Sequence, residues 1–427
     1  MQPAGPIFLS SQYDGVDHHL KGKRSAFLGR ESVHVANFVQ HWSDATPSPK
    51  GGYGQQSIWE LRSDTDYLGP IELVYEFGDL TAANDASDTS IYPRYVRWLG
   101  FAAIDYIQPR YHSHLLQKIT GDSLMMIYAC RTSLENRRDS LIGEPGDRGA
   151  DNATKQALRK DNGALSSYKV YVPLNTLIWA NHTGTFLPYG KDIARGTITM
   201  ELQTRPITSL VEHSADTGAD TVTGVIKSIV LRMNKVDVTQ SEQASIRKMV
   251  STHNEKMDIK SHARLCTTQE HQDGIVVENV DTLQEVDIVC SRPTKEILLG
   301  WRLDADEPDG TFKASLDRFK FQKLDTIGFR GVNRPILDDV DAEWMRNGPH
   351  NALHAGNTSE FNIYGISHSL APDADSDVVG YLNYNNISDK KFRFKTPASA
   401  GAGKLSLIYQ TQNTLMIDHS GLRMLQL

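Results

Sequence analysis

The chain has 427 residues, of which 39% are hydrophobic and 23% are charged. This composition supplies enough apolar surface for a folded protein, and the length exceeds what one core usually serves, so two domains of roughly 200 residues each are predicted. The formal net charge of −7 argues against a protein that coats nucleic acid, because phosphate binding requires clustered Lys and Arg.

Short strand-like runs separated by Gly, Pro, Asn and Asp follow one another from about residue 55 to the C-terminus. In residues 71–77 the odd positions are apolar and two of the three even positions are Glu, which predicts a strand with one face on a core and one in water. Further strands are predicted over residues 95–107, 123–130, 168–172, 197–203, 226–233, 296–303, 361–370, 391–395 and 404–411.

Helical patterns are few and short, and they cover residues 154–160, 242–250 and 341–346. They lie in long loops between strands and do not resemble βαβ crossovers, which disfavours a doubly wound α/β sheet. The predicted fold is therefore all-β, with sandwiches or jelly rolls as its architecture.

A seam follows Pro206, where a predicted strand gives way to a polar run rich in Thr, Asp and Gly. The predicted division is an N-terminal arm over residues 1–25, a first domain over 26–207, a linker over 208–222 and a second domain over 223–427. Polar insertions at 135–161 and 306–313 are predicted as long loops, which are usually functional or mobile.

The three cysteines are Cys130, Cys266 and Cys290, an odd number without a CxxC pair. This pattern indicates neither a disulfide framework nor a cysteine zinc site and favours a reducing compartment. The longest apolar candidate, residues 99–107, is broken by a glycine and an aspartate, and the N-terminus has no secretory pattern. The protein is expected to be made and used inside a cell.

Signatures of catalysis are absent from the sequence: there is no GxSxG, no HExxH, no P-loop and no GxGxxG between a strand and a helix. The carboxylate run at residues 338–343 could supply an acid and base pair or a cation site. We favour a solvated loop followed by a helical turn that the helix dipole stabilises.

Histidines offer one weak metal signal, because His112 and His114 would project to the same face of a strand. No third ligand accompanies them. The other C-terminal histidines are spread without ligand spacing: His350, His354, His368 and His419. Ordinary polar or core histidines are the favoured interpretation, so no catalytic, cofactor-binding or metal residue is predicted.

Near the N-terminus, residues 18–24 hold two histidines, two lysines and an arginine. A solvated arm is the favoured interpretation, with contact to an acidic membrane surface or a partner protein as the alternative. Four sequons begin at Asn152, Asn181, Asn357 and Asn386. Without a signal peptide we interpret them as chance occurrences.

An ordered series of motifs in the C-terminal half resembles the major capsid proteins of the nucleo-cytoplasmic large DNA viruses. The motifs are RPTKEILLGW (292–301), RGVNR (330–334) followed by EWM (343–345), IYGISHSLAP (363–372), GYLNYNNI (380–387) and QNTLMIDHSG (412–421). In the first half, GFAAIDYI (100–107) and VPLNTLIW (172–179) with FLP (186–188) resemble further family motifs.

The resemblance implies two tandem eight-stranded antiparallel jelly-roll barrels with short helices in long loops. It also implies a homotrimer that forms a six-lobed, pseudo-hexameric capsomer of an icosahedral shell, located in the virion and assembled in the host cytoplasm. Implied partners are further copies of the chain, minor capsid and penton proteins and, through the N-terminal arm, the inner viral membrane. Neither enzymatic activity nor direct contact with nucleic acid is implied.

Two other classes of function stay open. A carbohydrate-binding or glycoside-cleaving β-sandwich would need a concave face with clustered aromatic residues and two carboxylates at glycosidase separation. A minor capsid or penton-type protein of the same virus is the second alternative, although pentons usually have one jelly roll.

Overall fold

The computed structural model describes residues 38–62, 64–82, 93–143, 168–179, 187–189, 197–213, 222–240, 243–244, 262–277, 281–307, 317–331, 334–356, 361–373, 380–418 and 421–425. The predicted arm (1–25), the predicted helix at 154–160 and three of the sequon asparagines lie outside these residues. Within them, no helix combines the length and the apolar character needed to cross a bilayer.

The first half forms twelve strands and three short helices among the described residues. The strands are β1 (Phe38–Ala45), β2 (Gln56–Leu61), β3 (Tyr67–Ala82), β4 (Pro93–Tyr95), β5 (Ile104–Tyr111), β6 (His114–Leu115), β7 (Ile119–Thr120), β8 (Tyr168–Pro173), β9 (Leu187–Pro188), β10 (Ile198–Thr204), β11 (Val211–His213) and β12 (Val222–Val238). The helices are α1 (Leu99–Ala102), α2 (Gly121–Arg131) and α3 (Asp139–Ile142).

Ten of these strands build two facing antiparallel sheets, and β4 pairs with β11 in a separate two-stranded sheet. One has the order β1-β12-β3-β8, with β9 beside β3, and the other has the order β2-β10-β5-β6, with β7 beside β5. Numbering the eight principal strands along the chain, the sheets read 1-8-3-6 and 2-7-4-5. This is the strand order of a jelly roll, in which two Greek keys wrap two sheets around one core.

The second half repeats the same order. Its strands are β13 (His262–Val277), β14 (Leu283–Asp287), β15 (Pro293–Leu303), β16 (Thr326–Gly331), β17 (Arg334–Asp341), β18 (Tyr364–Ser367), β19 (Leu382–Asn383), β20 (Lys391–Lys395), β21 (Gly403–Asp418) and β22 (Gly421–Leu425). The sheets β13-β21-β15-β18 and β14-β20-β16-β17 again read 1-8-3-6 and 2-7-4-5. The predicted fold, two tandem eight-stranded antiparallel jelly rolls, is confirmed.

Short helical segments connect β17 to β18. They are α4 (Ala342–Met345), a π-helical turn (Arg346–His350) and α5 (Asn351–Leu353). The side chain of Asp341 accepts a hydrogen bond from the Trp344 amide and so caps α4, which confirms the helical turn predicted at 341–346.

The boundary between the barrels differs from the predicted one. Strand β12 was expected to open the second domain at residue 223, but it pairs with β1 and β3 and is the eighth strand of the first barrel. The barrels therefore change over between Val238 and His262. A run of Thr, Asp and Gly marks a loop, but it does not reveal which strands the loop joins. Here it joins two strands of one barrel.

A second correction concerns residues 123–130, which were predicted as a strand and form most of helix α2. The run is apolar throughout, so it carries neither a two-residue nor a 3.6-residue period, and short runs of this kind are ambiguous. Leu, Met and Ala favour the helix, and residues 120–123 form a capping box that starts it. The predicted strand at 95–107 is likewise interrupted by α1.

Apolar side chains fill both barrels. The alternating pattern of β10 points Ile198, Met200 and Leu202 inward, as expected for a strand with one wet face. Strand β15 is different, since it is buried along almost its whole length on both faces. Helix α2 contributes to this burial, because Met126 lies against Gly300 and Leu298 belongs to the same apolar cluster as the α2 side chains.

Candidate functional site

Helix α2 belongs to the first barrel by sequence and is buried from Gly121 to Cys130. Its start is fixed by a reciprocal pair of hydrogen bonds: the Ser123 amide donates to Thr120 Oγ1 (3.2 Å) and the Thr120 amide donates to Ser123 Oγ (3.0 Å). This capping satisfies backbone donors that burial would otherwise leave unpaired.

Two glycines of the second barrel let α2 approach closely. A Cβ atom on Gly300 of β15 would lie 2.6 Å from Met126 Cε, and one on Gly356 would lie 2.0 Å from the Ala129 carbonyl oxygen. Side chains at either position would push the helix away from the barrel. At Gly356 the junction between the barrels is therefore packed backbone against backbone, and at Gly300 the strand backbone is packed against the Met126 and Phe321 side chains.

At the N-terminal end of α2, a buried carboxylate meets two arginines. Asp122 accepts two hydrogen bonds from Arg318, at 2.8 Å from Nε and 2.7 Å from Nη2, and Arg302 Nη2 lies 3.5 Å away. Burial raises the pKa of Asp122, but the charges of Arg318 and Arg302 outweigh it and hold that pKa below its usual value. An ionised cluster thus links the first barrel to the second.

At the C-terminal end of α2, a second polar cluster surrounds Glu296 of β15. Glu296 Oε1 lies 2.7 Å from His354 Nε2, and its Oε2 accepts a hydrogen bond from Gln410 Nε2 at 3.0 Å. His354 Nδ1 lies 2.8 Å from Asp373 Oδ1. The imidazole therefore sits between two carboxylates.

The electrostatics of this cluster follow from that placement. Burial lowers the pKa of His354, but Glu296 and Asp373 outweigh it and raise that pKa to about 9. Burial raises the pKa of Glu296, but the charge of His354 holds it far below its usual value. In the absence of other ligands, a protonated imidazole with two N–H donors satisfies both carboxylates.

The end of α2 is tied into the same cluster. Arg131 Nη2 donates to Gln410 Oε1 at 2.6 Å, and its Nε lies 3.5 Å from Asp373 Oδ1. The Gly356 amide donates to the Cys130 carbonyl at 2.6 Å, which satisfies one of the orphan acceptors of the helix end. Both ends of α2 are therefore held by polar contacts to the second barrel.

Three side chains here have the chemistry of metal ligands. Cys130, His350 and His354 are buried, and their ligand atoms all lie within 4.8 Å of one another. Burial raises the pKa of the Cys130 thiol well above its ordinary value. The sequence analysis missed this grouping because Cys130 is 220 residues from His350. The readable signal was the four-residue spacing of His350 and His354, which places two imidazoles on one helical face.

The two candidates weighed from sequence, the His112 and His114 pair and the carboxylate run at 338–343, are not part of this grouping. His112 lies in the turn between β5 and β6 with φ of 51°, while His114 is in β6, so the two do not share a strand face. Residues 338–341 lie on β17 and not in a loop, and Asp339 pairs with Arg393 at 2.7 Å. Asn386 is exposed.

His368 lies elsewhere in the second barrel. Its Nε2 is 2.7 Å from the Tyr384 hydroxyl, and burial lowers its pKa to about 4. It is a neutral, hydrogen-bonded histidine, in line with the favoured interpretation.

A surface cleft on the first barrel bears on the carbohydrate alternative. It is lined by Trp42, Asp44, Glu72, Arg138 and Arg232. Both carboxylates are paired with arginine, and a hydrogen bond from Arg232 lowers the pKa of Asp44. An acid catalyst needs a raised pKa, and a sugar platform needs several aromatic rings. Asp44 has a lowered pKa instead, and Trp42 is the one aromatic residue among the described residues that line the cleft.

The repeated strand order defines a tandem double jelly-roll protein, and solved structures of virus capsid proteins share that architecture. The PBCV-1 virus capsid structure matches with a TM-score of 0.66 at 11% identity, covering 94% of this chain and 100% of that chain. The Faustovirus major capsid protein matches with a TM-score of 0.66 at 11% identity, covering 97% of both chains.

A third similar structure, from the Sputnik virophage, has a TM-score of 0.64 at 10% identity and covers 94% of this chain and 92% of that chain. No family model and no curated protein matches the sequence. The similarity therefore establishes the double jelly-roll fold over nearly the whole chain.

Proposed function

We propose that this chain is a structural major capsid protein, whose homotrimers form pseudo-hexameric capsomers of an icosahedral virus shell. The observation that carries the proposal is the match of both barrels, in tandem and over at least 94% of the chain, to capsid structures. Three chains with two similar barrels each present six lobes, and a six-lobed tile packs hexagonally. The protein acts by assembly, not catalysis, and resides in the virion after assembly in the host cytoplasm.

The junction at α2 supports this role. A tile with six equivalent lobes requires a fixed angle between the two barrels of each chain. Buried ionic clusters at both ends of α2, together with the close approach at Gly300 and Gly356, fix that angle.

Exposed apolar side chains support self-association. Leu370 is 82% exposed, Val289 75% and Val39 66%. Subunit contacts of obligate oligomers bury such groups, while contacts between capsomers are individually smaller and multiplied by symmetry. Minor capsid and penton proteins are the further partners that we propose, with the inner viral membrane contacted through residues 1–25. The net charge of −7 agrees with a shell that does not contact the genome directly.

The decisive experiment is the mass of the purified protein in solution, measured by light scattering, together with electron micrographs of the same sample. The expected species is a trimer of the 47.6 kDa chain with six-lobed particles. A protein that stays monomeric at all concentrations would contradict the proposal.

Deleting residues 1–25 tests the arm. Trimers are expected to persist, because both barrels are complete without these residues, while closed shells become rarer in co-expression with the other shell components. Loss of trimers in the deletion variant would show that the arm belongs to the subunit interface instead.

A further inference from the structure

The cluster at the C-terminal end of α2 contains a thiol and a second imidazole that the ion pair between Glu296 and His354 does not use. We propose that Cys130, His350, His354 and Glu296 bind one divalent cation of the zinc class, which joins the two barrels. This proposal concerns the junction within one chain and is independent of the capsid role.

The geometry is close to that of a bound cation. Cys130 Sγ lies 3.9 Å from His350 Nε2, and Glu296 Oε1 lies 3.5 Å from His350 Nδ1 and 2.7 Å from His354 Nε2. In a tetrahedral zinc site, bond lengths of about 2.0 to 2.3 Å put the ligand atoms about 3.3 to 3.6 Å apart. Side-chain movements of about 1 Å would bring the ligand atoms of Cys130, His350 and His354 to that spacing. Glu296 approaches the His350 ring at Nδ1 and Cys130 approaches it at Nε2, so a cation bound by all four side chains also requires the ring to turn.

One buried atom in the cluster lacks a partner. The His350 ring is 1% exposed, and its Nδ1 makes no hydrogen bond although Glu296 is near. Buried polar groups are almost always satisfied, and an absent ion is one recognised reason for an exception. The unpaired nitrogen points to a missing ligand in this cluster.

The surrounding residues form the outer shell that metal sites use. Asp373 accepts from His354 Nδ1, which leaves Nε2 free to bind a cation, and Gln410 orients Glu296 through its second oxygen. Arg131 in turn contacts both Asp373 and Gln410. Carboxylates behind ligating histidines fix the tautomer and ring orientation.

The charges select the class of cation. One thiolate and one carboxylate balance a divalent ion, and two neutral imidazoles complete four ligands. When the cation binds, the Cys130 thiol and the His354 imidazolium release their protons to solvent, so the net charge of the buried cluster does not change. Sulfur and nitrogen donors suit zinc and disfavour Ca²⁺ and Mg²⁺. Four buried protein ligands describe a structural site, because a catalytic one keeps an open position.

Such a cation would connect three separate segments. Cys130 lies in the last turn of α2 of the first barrel, Glu296 is on β15, and the two histidines belong to the connection between β17 and β18. It would therefore lock the junction after both barrels have folded.

Cobalt provides a test that does not depend on removing a ligand. The variant Cys266→Ser/Cys290→Ser keeps Cys130 as its only thiol. Full-length protein produced in cobalt-supplemented medium should show the thiolate-to-cobalt charge-transfer band and the intense visible bands of tetrahedral cobalt, both in the wild type and in this variant. A purified wild-type protein without these bands would overturn the proposal.

Zinc content and stability complete the test. Wild-type protein from zinc-supplemented medium should carry about one zinc per chain by elemental analysis, and a chelator should lower its Tm. Cys130→Ser should bind zinc at least tenfold more weakly in competition with a chelating dye, whereas the matched control Cys290→Ser should bind it like the wild type. Equal zinc affinity in the two serine variants, or a wild type without zinc, refutes the site.

Discussion

Two aspartate–arginine pairs in this molecule have almost the same geometry and very different surroundings. Asp122 and Arg318, at the barrel junction, bond through two contacts of 2.8 and 2.7 Å, and Asp44 and Arg232, in the surface cleft, bond through two contacts of 3.0 and 3.2 Å. The Asp122 side chain is 8% exposed and that of Asp44 is 50% exposed.

The two pairs differ in their exposure to solvent and not in the geometry of their hydrogen bonds. Water can solvate either partner of the surface pair when the other is removed, so little is lost. At the junction, the arginines would stay largely buried without their nearest counter-charge. Four predictions test this comparison, in order of expected effect.

Asp122→Asn should have the largest effect. It removes the nearest counter-charge of the largely buried Arg318 and Arg302, and we expect the free energy of unfolding to fall by about 3 to 5 kcal/mol. Urea denaturation of the trimer-free protein, or thermal unfolding if oligomers persist, measures it. A loss below about 1 kcal/mol would mean that water reaches the cluster.

Lowering the pH should remove the same stabilising contribution from the free energy of unfolding of the wild type. The folded state lowers the pKa of Asp122 below its unfolded value of about 3.9, so its stabilising contribution is complete above that pH. As pH falls through the folded pKa, the carboxylate is protonated and the contribution disappears. The difference in unfolding free energy between wild type and Asp122→Asn should therefore be constant from pH 5 to 7 and shrink below about pH 4. A difference that grows on acidification would contradict this sign.

Arg318→Met should cost less than Asp122→Asn, about 1.5 to 3 kcal/mol, because Asp122 keeps Arg302 as a counter-charge at 3.5 Å. The methionine also covers part of the space that the arginine stem occupied. The same unfolding assay compares the two variants. If Arg318→Met is the more damaging change, Arg302 does not compensate the carboxylate.

Asp44→Asn should have the smallest effect, below about 1 kcal/mol, since its pair with Arg232 is exposed to solvent. High salt should reduce this effect further while leaving that of Asp122→Asn nearly unchanged. Unfolding curves at low and high ionic strength measure both. A large, salt-independent loss in Asp44→Asn would show that the surface cleft is covered, for example by a neighbouring subunit.

The sequence predicted the parts of the fold that face both core and water. Strand β10 alternates inward Ile198 and Met200 with polar neighbours, so its period of two is visible without a structure. Helix α2 has no wet face and therefore no period, and its run of Leu, Met and Ile was misassigned as a strand. An amphipathic pattern arises only where one face of a helix or strand meets solvent, so a fully buried element does not show one.

The candidate site was hidden for a different reason. Glu296 lies within a recognisable motif, but nothing local shows that it is buried or that Cys130 is beside it. Cys130 and Glu296 become neighbours only because the two barrels pack in tandem. The family resemblance implied that tandem arrangement, whereas the composition did not. The pairing of β12 with β1 was hidden in the same way, because strand partners far apart in sequence leave no local trace.

The position of α2 also has a consequence for synthesis. The helix is translated well before its partners Glu296 and Gly300, and ribosomes add roughly 5 to 20 residues per second. For roughly 10 to 30 seconds, an apolar helix of a nascent first barrel would stand without the surface that covers it. Each new chain would then need protection from aggregation during that interval, so the yield of folded protein would depend on the supply of chaperones.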